Sequence, residues 1–490
     1  MAKKNQAFYL KWLAFLIVLS IPAAWLIIKP GYFPMHDDTQ IVRVNQMYQA
    51  LRQGQFPVRF VEGLGYGYGY PIFNFYNPLP YYFGAFFMFL NLDAITATKI
   101  MFIFPIILSG LTMFFLAKKY FSQLSALVSS LFYIYTPYHA VQIYVRGAVA
   151  EYWAYAFSPL LILALLNQQK LLAGLALALL ILSHNLTALM IIPIIGILFF
   201  IKLFFLKSKS SFVYYLLQVG LIGLGLSAFF WLPALLEKGL TQVDLMLANQ
   251  TSPLDHFIFP YQLWTSLWRF GGSVFGIKDG MSFMVGKLHL IFSLLSLPII
   301  FIYPKLTKKL KLFLLFSFSC LFFSFFMIFP LSYSIWSNFR ILDFIQFPWR
   351  WLIFITFFTS ILTGFSFNYF ETIAKKYINK KIVTIIGYLL LIVFVIYSTK
   401  FFKPKYKFSM TSAQALAAER VHWLISMRSD EYLPKNFIVP QTKEEALGPK
   451  NPLNQKIIVD FAQPNFLRTI ANFISLASII WLITKLLKKN

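Results

Sequence analysis

An acidic doublet, Asp37 and Asp38, follows the first apolar run of the chain, within residues 35–39, which read Met-His-Asp-Asp-Thr. A carboxylate here could take a proton from an acceptor hydroxyl, and with His36 it could hold a divalent cation such as Mg or Mn. The alternative is structural. Apolar side chains recur at helical spacing over residues 40–51, so that one of these polar residues would cap the helix.

Two arginines have surroundings suited to phosphate binding. Arg146 lies five residues before Glu151, and Arg350 stands between Trp349 and Trp351 at the start of an apolar run. A guanidinium group fits phosphate oxygens through two parallel hydrogen bonds. Glu151 could then be a second catalytic carboxylate. The alternatives are an internal salt bridge from Arg146 to Glu151 and an Arg350 side chain that snorkels to the lipid headgroups.

Other polar and aromatic residues border the apolar runs. His184 and Asn185 stand between two such runs and could bind substrate or simply form a hydrogen-bonded cap. Glycine and tyrosine alternate over residues 63–70, and Tyr76 follows shortly afterwards. Tyrosine offers a flat apolar face and a hydroxyl. The Gly-Tyr segment is therefore either a turn with interface anchors or a wall that contacts a sugar or an isoprenoid.

The composition shows which elements must position these residues. Of 490 residues, 59% are hydrophobic and only 12% are charged, about half the charged fraction of a soluble protein, which is about 25%. The net charge of +26 is spread over short basic clusters between apolar runs, which favours a membrane over nucleic acid as partner. The single cysteine excludes internal disulfides and cysteine-based metal sites. The chain is a polytopic membrane protein.

A bilayer core needs about 20 apolar residues of helix. We predict about twelve transmembrane helices, at residues 9–28, 98–117, 121–137, 152–167, 171–184, 186–205, 212–235, 287–303, 312–330, 350–370, 382–400 and 468–485. If the further apolar run 78–92 does not cross, most lysine clusters fall on the cytoplasmic side. We therefore predict a juxtamembrane helix there, cytoplasmic N- and C-termini, and functional loops outside a plasma or inner membrane. Lys400, Lys403, Lys405 and Lys407 fall outside, against the rule.

This topology predicts a multi-span domain over residues 1–400, whose first outer loop, 29–97, carries amphipathic juxtamembrane helices. Residues 401–467 form a small outer segment, a cap or lid, and residues 468–490 a last transmembrane helix with a basic cytoplasmic tail. The predicted spans contain no Asp or Glu. Ion-driven carriers usually keep ionisable groups at mid-membrane, so this absence counts against such a carrier.

Several strings together resemble a known family: His-Asp-Asp at 36–38, the aromatic stretch 67–82, Arg-Gly-Ala-Val-Ala-Glu-Tyr at 146–152, Ser-His-Asn at 183–185, Gln-Phe-Pro-Trp-Arg-Trp-Leu at 346–352 and Glu-Tyr-Leu-Pro at 431–434, with matches between 268 and 283. They resemble the bacterial membrane family labelled 6-pyruvoyl-tetrahydropterin synthase-related. More widely, the layout is similar to GT-C glycosyltransferases. That resemblance implies an all-α GT-C-like fold, acids early in the first two outer loops at Asp37/Asp38 and Glu151, and polyprenyl-phosphate-linked donors. No pterin chemistry is implied.

We therefore expect a membrane glycosyltransferase of the cell envelope, transferring a hexosyl or pentosyl group from a polyprenyl-phosphate donor to an acceptor at the outer face. The expected catalytic residues are Asp37, Asp38 and Glu151, and the expected substrate-binding residues are His36, Tyr76, Arg146, His184, Asn185, Trp349 and Arg350. No cofactor is firmly implied. The alternatives are a non-catalytic membrane scaffold and a flippase or transporter for a lipid-linked saccharide.

Overall fold

The computed structural model describes residues 2–205, 209–244, 252–303 and 306–488, with side chains from residue 13 onward. Helices of ten or more residues are numbered α1 (Ala2–Ile28), α2 (Gln40–Arg52), α3 (Leu79–Phe89), α4 (Ala94–Lys118), α5 (Gln123–Ile134), α6 (Val149–Leu166), α7 (Lys170–Ser183), α8 (Asn185–Phe205), α9 (Lys209–Glu237), α10 (Lys287–Ile302), α11 (Lys308–Ile328), α12 (Leu352–Tyr377), α13 (Lys380–Ser398), α14 (Pro452–Ala462) and α15 (Phe466–Leu487). The described ranges contain isolated β-bridges but no strand.

Local sequence accounts for where many of these helices begin. The Asp93 carboxylate accepts hydrogen bonds from the backbone N–H groups of Ile95 and Thr96 at the start of α4. Ser122 begins α5, and Asn465 begins α15, through the same kind of side-chain cap. A cap satisfies N–H groups that have no partner within the helix. Apolar runs behind such caps therefore become helices with defined ends.

The all-α polytopic architecture predicted from composition is confirmed. Each of the twelve predicted spans coincides with a described helix. Eight segments are long and apolar enough to cross a membrane: Ala94–Lys118, Val149–Leu166, Asn185–Phe205, Ser210–Leu240, Lys308–Ile328, Pro348–Tyr377, Lys380–Phe401 and Pro452–Leu487. Others are shorter; α5 has 12 residues and α7 has 14, against about 20 for a full crossing. The count of twelve stays a prediction.

The predicted spans are free of acidic residues, but the helices that contain them are not. Several helices extend beyond the predicted runs, and three of the eight membrane-length segments carry a buried glutamate near one end. Each pairs with a basic residue: Glu151 with Arg146, Glu237 with Arg468 and Glu371 with Lys375. A buried charge is tolerated when it is paired and hydrogen-bonded. The argument against an ion-driven carrier therefore applies to the helix interiors alone.

The first long loop contains the two predicted juxtamembrane helices, α2 and α3, which pack against each other and both against α4. The 11 residues of α3 span only about 16 Å at 1.5 Å per residue. This length is about half of what a crossing requires, in keeping with the prediction that residues 78–92 stay on one side.

The lysines that break the charge rule have local roles. The Nζ atom of Lys407 donates to the carbonyl oxygens of Leu26 and Lys29 at 2.9 and 3.0 Å, and Lys99 donates to the same Lys29 oxygen. These carbonyls end α1, where the helix dipole favours positive charge. Lys400 lies over the ring of Tyr397 at 3.7 Å. Two of the four lysines, Lys400 and Lys407, thus have specific contacts at these positions.

The segment 401–467 packs on the Gly-Tyr turn of the first loop. The Tyr66 hydroxyl donates to Asp430, while the hydroxyls of Tyr68 and Tyr70 accept from the backbone N–H groups of Asn451 and Tyr432. Gly65, Gly67 and Gly69 have φ of 63°, 74° and 111°, a region that glycine enters freely. The alternation therefore makes a tight turn whose tyrosines hold the C-terminal segment.

Helices α8 and α9 are consecutive in sequence but pack mainly on other elements, α9 on α7 and α15, α8 on α7 and α11. They meet where their connection lies: Phe199 stacks on Phe212 at 6.3 Å, and Lys202 lies over the same ring. Toward their other ends, the side chains of both helices line a groove, to which α7 contributes Ile181. This groove leads to the candidate site.

Candidate active site

Two backbone hydrogen bonds bring the acidic doublet beside Arg146. The N–H groups of His36 and Asp37 donate to the carbonyl oxygens of Val145 and Arg146 at 3.0 and 2.8 Å. Gly147 follows in the left-handed region at φ 66°, and a Cβ there would come within 2.2 Å of the Met35 sulfur. Glycine is therefore required where residues 35–37 cross residues 145–147.

The two aspartates point in different directions. Asp37 lines the cavity described below, and among the described residues its carboxylate has neither a hydrogen bond nor an ion pair. Asp38 instead accepts from Arg420 at 2.8 Å and lies 3.8 Å from Arg428. Burial raises the pKa of Asp38, although Arg420 acts in the opposite direction. The doublet is thus divided into one unpaired carboxylate and one that holds the C-terminal segment.

The capping alternative for the doublet is wrong. Thr39 occupies the N-cap position of α2 but makes no side-chain cap bond, and its hydroxyl is buried without a partner in the described structure. The Gln40 amide instead donates to the carbonyl oxygens of Asp37 and Gly147. The hydrogen bond from Gln40 to Gly147, 107 residues away, orients the chain at the start of α2. This distant contact therefore overrides the capping pattern of the local sequence.

Glu151 is the centre of a buried polar cluster. Its Oε1 accepts from the Tyr138 hydroxyl at 2.8 Å and from the Gln142 amide at 2.5 Å. Its Oε2 accepts from Arg146 Nη1 at 2.7 Å and lies 3.7 Å from Arg350 Nε. The salt-bridge alternative for Arg146 and Glu151 is therefore correct. With both oxygens engaged by donors, this carboxylate has little capacity to accept a further proton.

The two arginines keep unused donors. Arg146 bonds through Nη1 alone, to Gln142 and Glu151. Arg350 donates from Nη1 to the carbonyl of Ile345 at 2.7 Å, while its buried Nε has no hydrogen bond in the described structure. Each guanidinium carries five N–H groups, so both can still bind an anion. Two arginines against one glutamate also leave the cluster one positive charge in excess.

The string 346–352 shapes this end of the cavity. Gln346 has φ of 65°, which is uncommon for a residue other than glycine and marks local strain. The following turn buries Trp349 beneath the Arg146 guanidinium, 4.6 Å from the ring centroid, and Trp349 stacks on Phe347. Trp349 therefore supports the arginine from below and does not line the cavity itself. Arg350 points into the cluster and is only 9% exposed, so snorkelling is excluded.

The remaining predicted residues divide into those that line the cavity and one that does not. Tyr76, His184 and Asn185 line it. The backbone N–H of Thr187 donates to His184 Nδ1 at 3.2 Å, so the ring hydrogen lies on Nε2. His36 is exposed and bonds to the carbonyl of Phe270 at 3.1 Å. With Asp38, it lies outside the cavity.

The lining residues that were not among the predicted site residues include Lys238, Gln346, Glu431 and Tyr432. Glu431 belongs to the Glu-Tyr-Leu-Pro string, which signalled it without indicating a role. Burial raises the pKa of Glu431, and the nearby Arg43 acts in the opposite direction. Lys238 lies over the ring of Phe344 at 4.1 Å. No local pattern places these residues near Asp37, since they come from distant loops.

The cavity has a volume of about 680 Å³, well within the range of small-molecule sites. Its polar end contains Asp37, Arg146, Glu151, Arg350 and Glu431. Its apolar side is the groove between α8 and α9, lined by Leu186, Leu189, Ile192, Leu224, Trp231 and Leu235. Ile192 and Leu235 are more than half exposed. The groove is therefore open on the apolar flank of the bundle.

The family model for the 6-pyruvoyl-tetrahydropterin synthase related domain, described as a membrane protein, matches residues 73–406. That range is about two thirds of the chain and contains Tyr76, Arg146, Glu151 and Arg350. The chain belongs to this family. The resemblance noted in the sequence is thereby confirmed. A comparison with curated proteins finds no match.

Two solved structures resemble this family member in fold. The arabinofuranosyltransferase AftD from mycobacteria matches with a TM-score of 0.51 and 11% identity, over 82% of this chain and 28% of AftD. The Archaeoglobus fulgidus oligosaccharyltransferase has a TM-score of 0.46 and 14% identity, over 90% of this chain and 58% of that protein. The chain thus spans less than two thirds of either protein. The likeness to AftD shows a GT-C-like fold.

The family label is not accompanied by a metal-binding cluster. Within the described parts of the chain, no group of three or more His, Cys, Asp or Glu side chains is placed to hold a metal ion. Asp37 and Asp38, the candidate metal ligands, point apart. What the arrangement offers chemically is a free carboxylate, two anion-binding arginines and an apolar groove.

Proposed function

We propose that this protein is a membrane glycosyltransferase that uses a polyprenyl-phosphate-linked sugar, hexosyl or pentosyl, as donor. One observation carries the proposal: a single cavity joins the unpaired Asp37 carboxylate, two arginines with unused donors, and an apolar groove. A lipid-linked sugar has three matching parts, namely an acceptor-facing sugar, a phosphate and a long apolar chain. The GT-C-like fold supports the same assignment.

Arg146 and Arg350 would bind the donor phosphate. The N–H donors that both arginines leave unused suit the oxygens of a phosphodiester, and burial of the guanidinium groups strengthens the interaction. As the sugar leaves, negative charge grows on the phosphate, and fixed N–H donors stabilise that charge. Glu151 would act as a positioning residue. It holds both guanidinium groups beside the cavity without neutralising them.

Asp37 would act as the catalytic base. The acceptor hydroxyl attacks the anomeric carbon of the sugar, and its proton passes to the Asp37 carboxylate. The bond between that carbon and the phosphate oxygen breaks, so the electron pair leaves on the polyprenyl phosphate between the arginines.

The groove between α8 and α9 would receive the isoprenoid chain. Its wall residues are apolar, and Ile192 and Leu235 lie on the open side, where lipid would contact them. The polar cavity residues lie in predicted outer loops or at the ends of spans that border these loops, and the lysine distribution places the loops outside the cell. We therefore propose an outward-facing site in the plasma membrane, with residues 401–467 as a lid that presents Glu431 and Tyr432.

Native mass spectrometry of the gently extracted protein tests the donor site. We expect a polyprenyl-phosphate species to remain bound to the wild type and to be lost from Arg146→Ala and Arg350→Ala. Its mass would identify the sugar for transfer assays. If only bulk phospholipid is retained, and neither variant changes it, the donor-site proposal is wrong and a non-catalytic scaffold is favoured.

The acidic doublet supplies a matched pair of variants for the catalytic step. With the donor identified above, Asp37→Asn should slow release of polyprenyl phosphate by about 10²–10⁴-fold, the usual contribution of a general base. Asp38→Asn makes the same chemical change one residue away, outside the cavity, and should retain most of the activity. Full activity in Asp37→Asn would overturn the assignment. Movement of the labelled lipid across vesicles without sugar release would favour a flippase.

A further inference from the structure

A second pocket, away from the candidate active site, lies where the start of α10 meets the end of α13. Its volume is about 240 Å³, and its wall is mostly apolar and aromatic, with Tyr135, Pro137, Phe394 and Phe401 among the lining residues. This volume is below the usual range for a complete small-molecule site, about 300–1,000 Å³. It suits one part of a larger molecule whose remainder lies outside the pocket.

Two lysines, Lys287 and Lys400, stand on the rim of this pocket, and both are exposed. Lys287 lies over the ring of Trp264 at 5.5 Å, and Lys400 over the ring of Tyr397 at 3.7 Å. Among the described residues, neither lysine forms an ion pair with a carboxylate. Their charge is therefore held beside the pocket but left uncompensated.

The surroundings place the rim at the level of a membrane surface. Trp264 and Tyr397 are partly exposed, and tryptophan and tyrosine are enriched at membrane–water interfaces. Just before Tyr397 in α13, Val393 and Ile396 are exposed and apolar, as expected for residues that face lipid. The pocket is thus apolar inside, cationic at its rim and next to the bilayer.

The pocket also contains a hydrogen-bond acceptor. His289 Nε2 lies 2.7 Å from the carbonyl oxygen of Phe132, and because a carbonyl only accepts, the ring hydrogen must be on Nε2. Nδ1 is then an acceptor beside Gly286, which also lines the pocket. An acceptor at this position can receive a hydroxyl group.

We propose that this pocket binds an anionic phospholipid, with the headgroup phosphate between Lys287 and Lys400 and part of the lipid within the aromatic wall. The two uncompensated ammonium groups select a negative headgroup, and the acceptor on His289 suits a headgroup that carries hydroxyls. Phosphatidylglycerol has both properties. The site is separate from the proposed transferase cavity and does not depend on it.

The test compares lipids retained by the full-length protein after exposure to equal amounts of phosphatidylglycerol and phosphatidylcholine, counted by native mass spectrometry. Each basic residue near an anionic lipid contributes roughly fivefold to binding. The Lys287→Gln/Lys400→Gln variant should therefore lose the phosphatidylglycerol preference by about 25-fold. Lys403→Gln/Lys405→Gln changes the same charge at exposed positions outside the pocket, and should keep the preference.

Three outcomes would overturn the proposal. The wild type shows no preference for phosphatidylglycerol, or the control variant loses the preference as far as the test variant, which would indicate bulk charge alone. In the third outcome, millimolar glycerol 3-phosphate displaces the lipid, which would indicate a site for a free phosphate ester. Melting curves measured without added lipid show whether the variants are folded. The Lys287→Arg/Lys400→Arg variant, which keeps both charges, should show the same preference as the wild type.

Discussion

The described structure contains two buried glutamate–arginine clusters, and they differ in the hydrogen-bond donors that remain unused. Glu237 accepts two hydrogen bonds from Arg468 Nε, both at 3.0 Å, and further bonds from the amides of Asn74 and Asn465. Both of its oxygens are engaged, and a second arginine of this cluster, Arg59, donates to Asn74 and Asn472. Glu151 is also fully engaged, but it faces two arginines, and these retain free N–H donors.

The difference separates a structural cluster from a candidate binding site. The Glu237 cluster ties the start of α15 to the end of α9, and Arg468 also caps the carbonyls of Phe461 and Gln463. Nothing in this cluster calls for a ligand. In the Glu151 cluster, two arginines with unused donors line a cavity. A buried ion pair is therefore a sign of function only when some of its charges or hydrogen-bond donors remain without a partner.

The largest expected effect is on stability, at Arg468. Arg468→Ala leaves Glu237 buried without its cation, which typically costs about 3–5 kcal/mol. Thermal unfolding in detergent measures the loss, with Arg52→Ala at an exposed position as the control. Replacing Glu237 and Arg468 together by Met and Leu should recover much of that stability. A loss no larger than that of the control would remove the distinction between the clusters.

The next effect is on activity, at Arg350. Arg350→Lys keeps the charge beside Glu151 but removes the planar fork that holds a phosphate. We expect sugar transfer to fall by about 10²–10³-fold, the usual result of removing a donor that stabilises developing charge. The melting temperature should change far less than in Arg468→Ala. A stability loss of similar size in both variants would mean that the Glu151 cluster is structural too.

The smallest effect is expected at a third pair, Asp38 with Arg420, which is less buried than the other two. Burial raises the pKa of Asp38 above its ordinary 3.8, so the ionised form is disfavoured in the folded protein relative to the unfolded chain. Asp38→Asn should therefore be neutral or slightly stabilising at pH 7. The difference from wild type should fade as the pH falls through the raised pKa, and vanish below about pH 4. Unfolding measured between pH 4 and 7 checks the sign. A destabilised Asp38→Asn at pH 7 would contradict it.

Much of the fold was predictable because its signals are local. Low charge content and long apolar runs determine a polytopic helical protein, and the helical spacing over residues 40–51 correctly predicted α2. The strings at 146–152 and 346–352 predicted arginines that do meet in space. His36 and Asp38, which were also predicted as site residues, lie outside the cavity. Residue type alone does not determine which way a side chain points.

By itself, the sequence determined the membrane class, the helical architecture, the family and part of the polar lining of the cavity. Only the tertiary structure decided which carboxylate is free. Asp38 is paired by Arg420, 382 residues away, and Arg350 from a distant span joins the local Arg146–Glu151 pair, while Asp37 lacks such a partner in the described structure. Hydrophobic patterns, and the burial that they predict, can be read from residues that are close together in the sequence. Charge pairing depends on which distant segments the packing brings within a few ångströms.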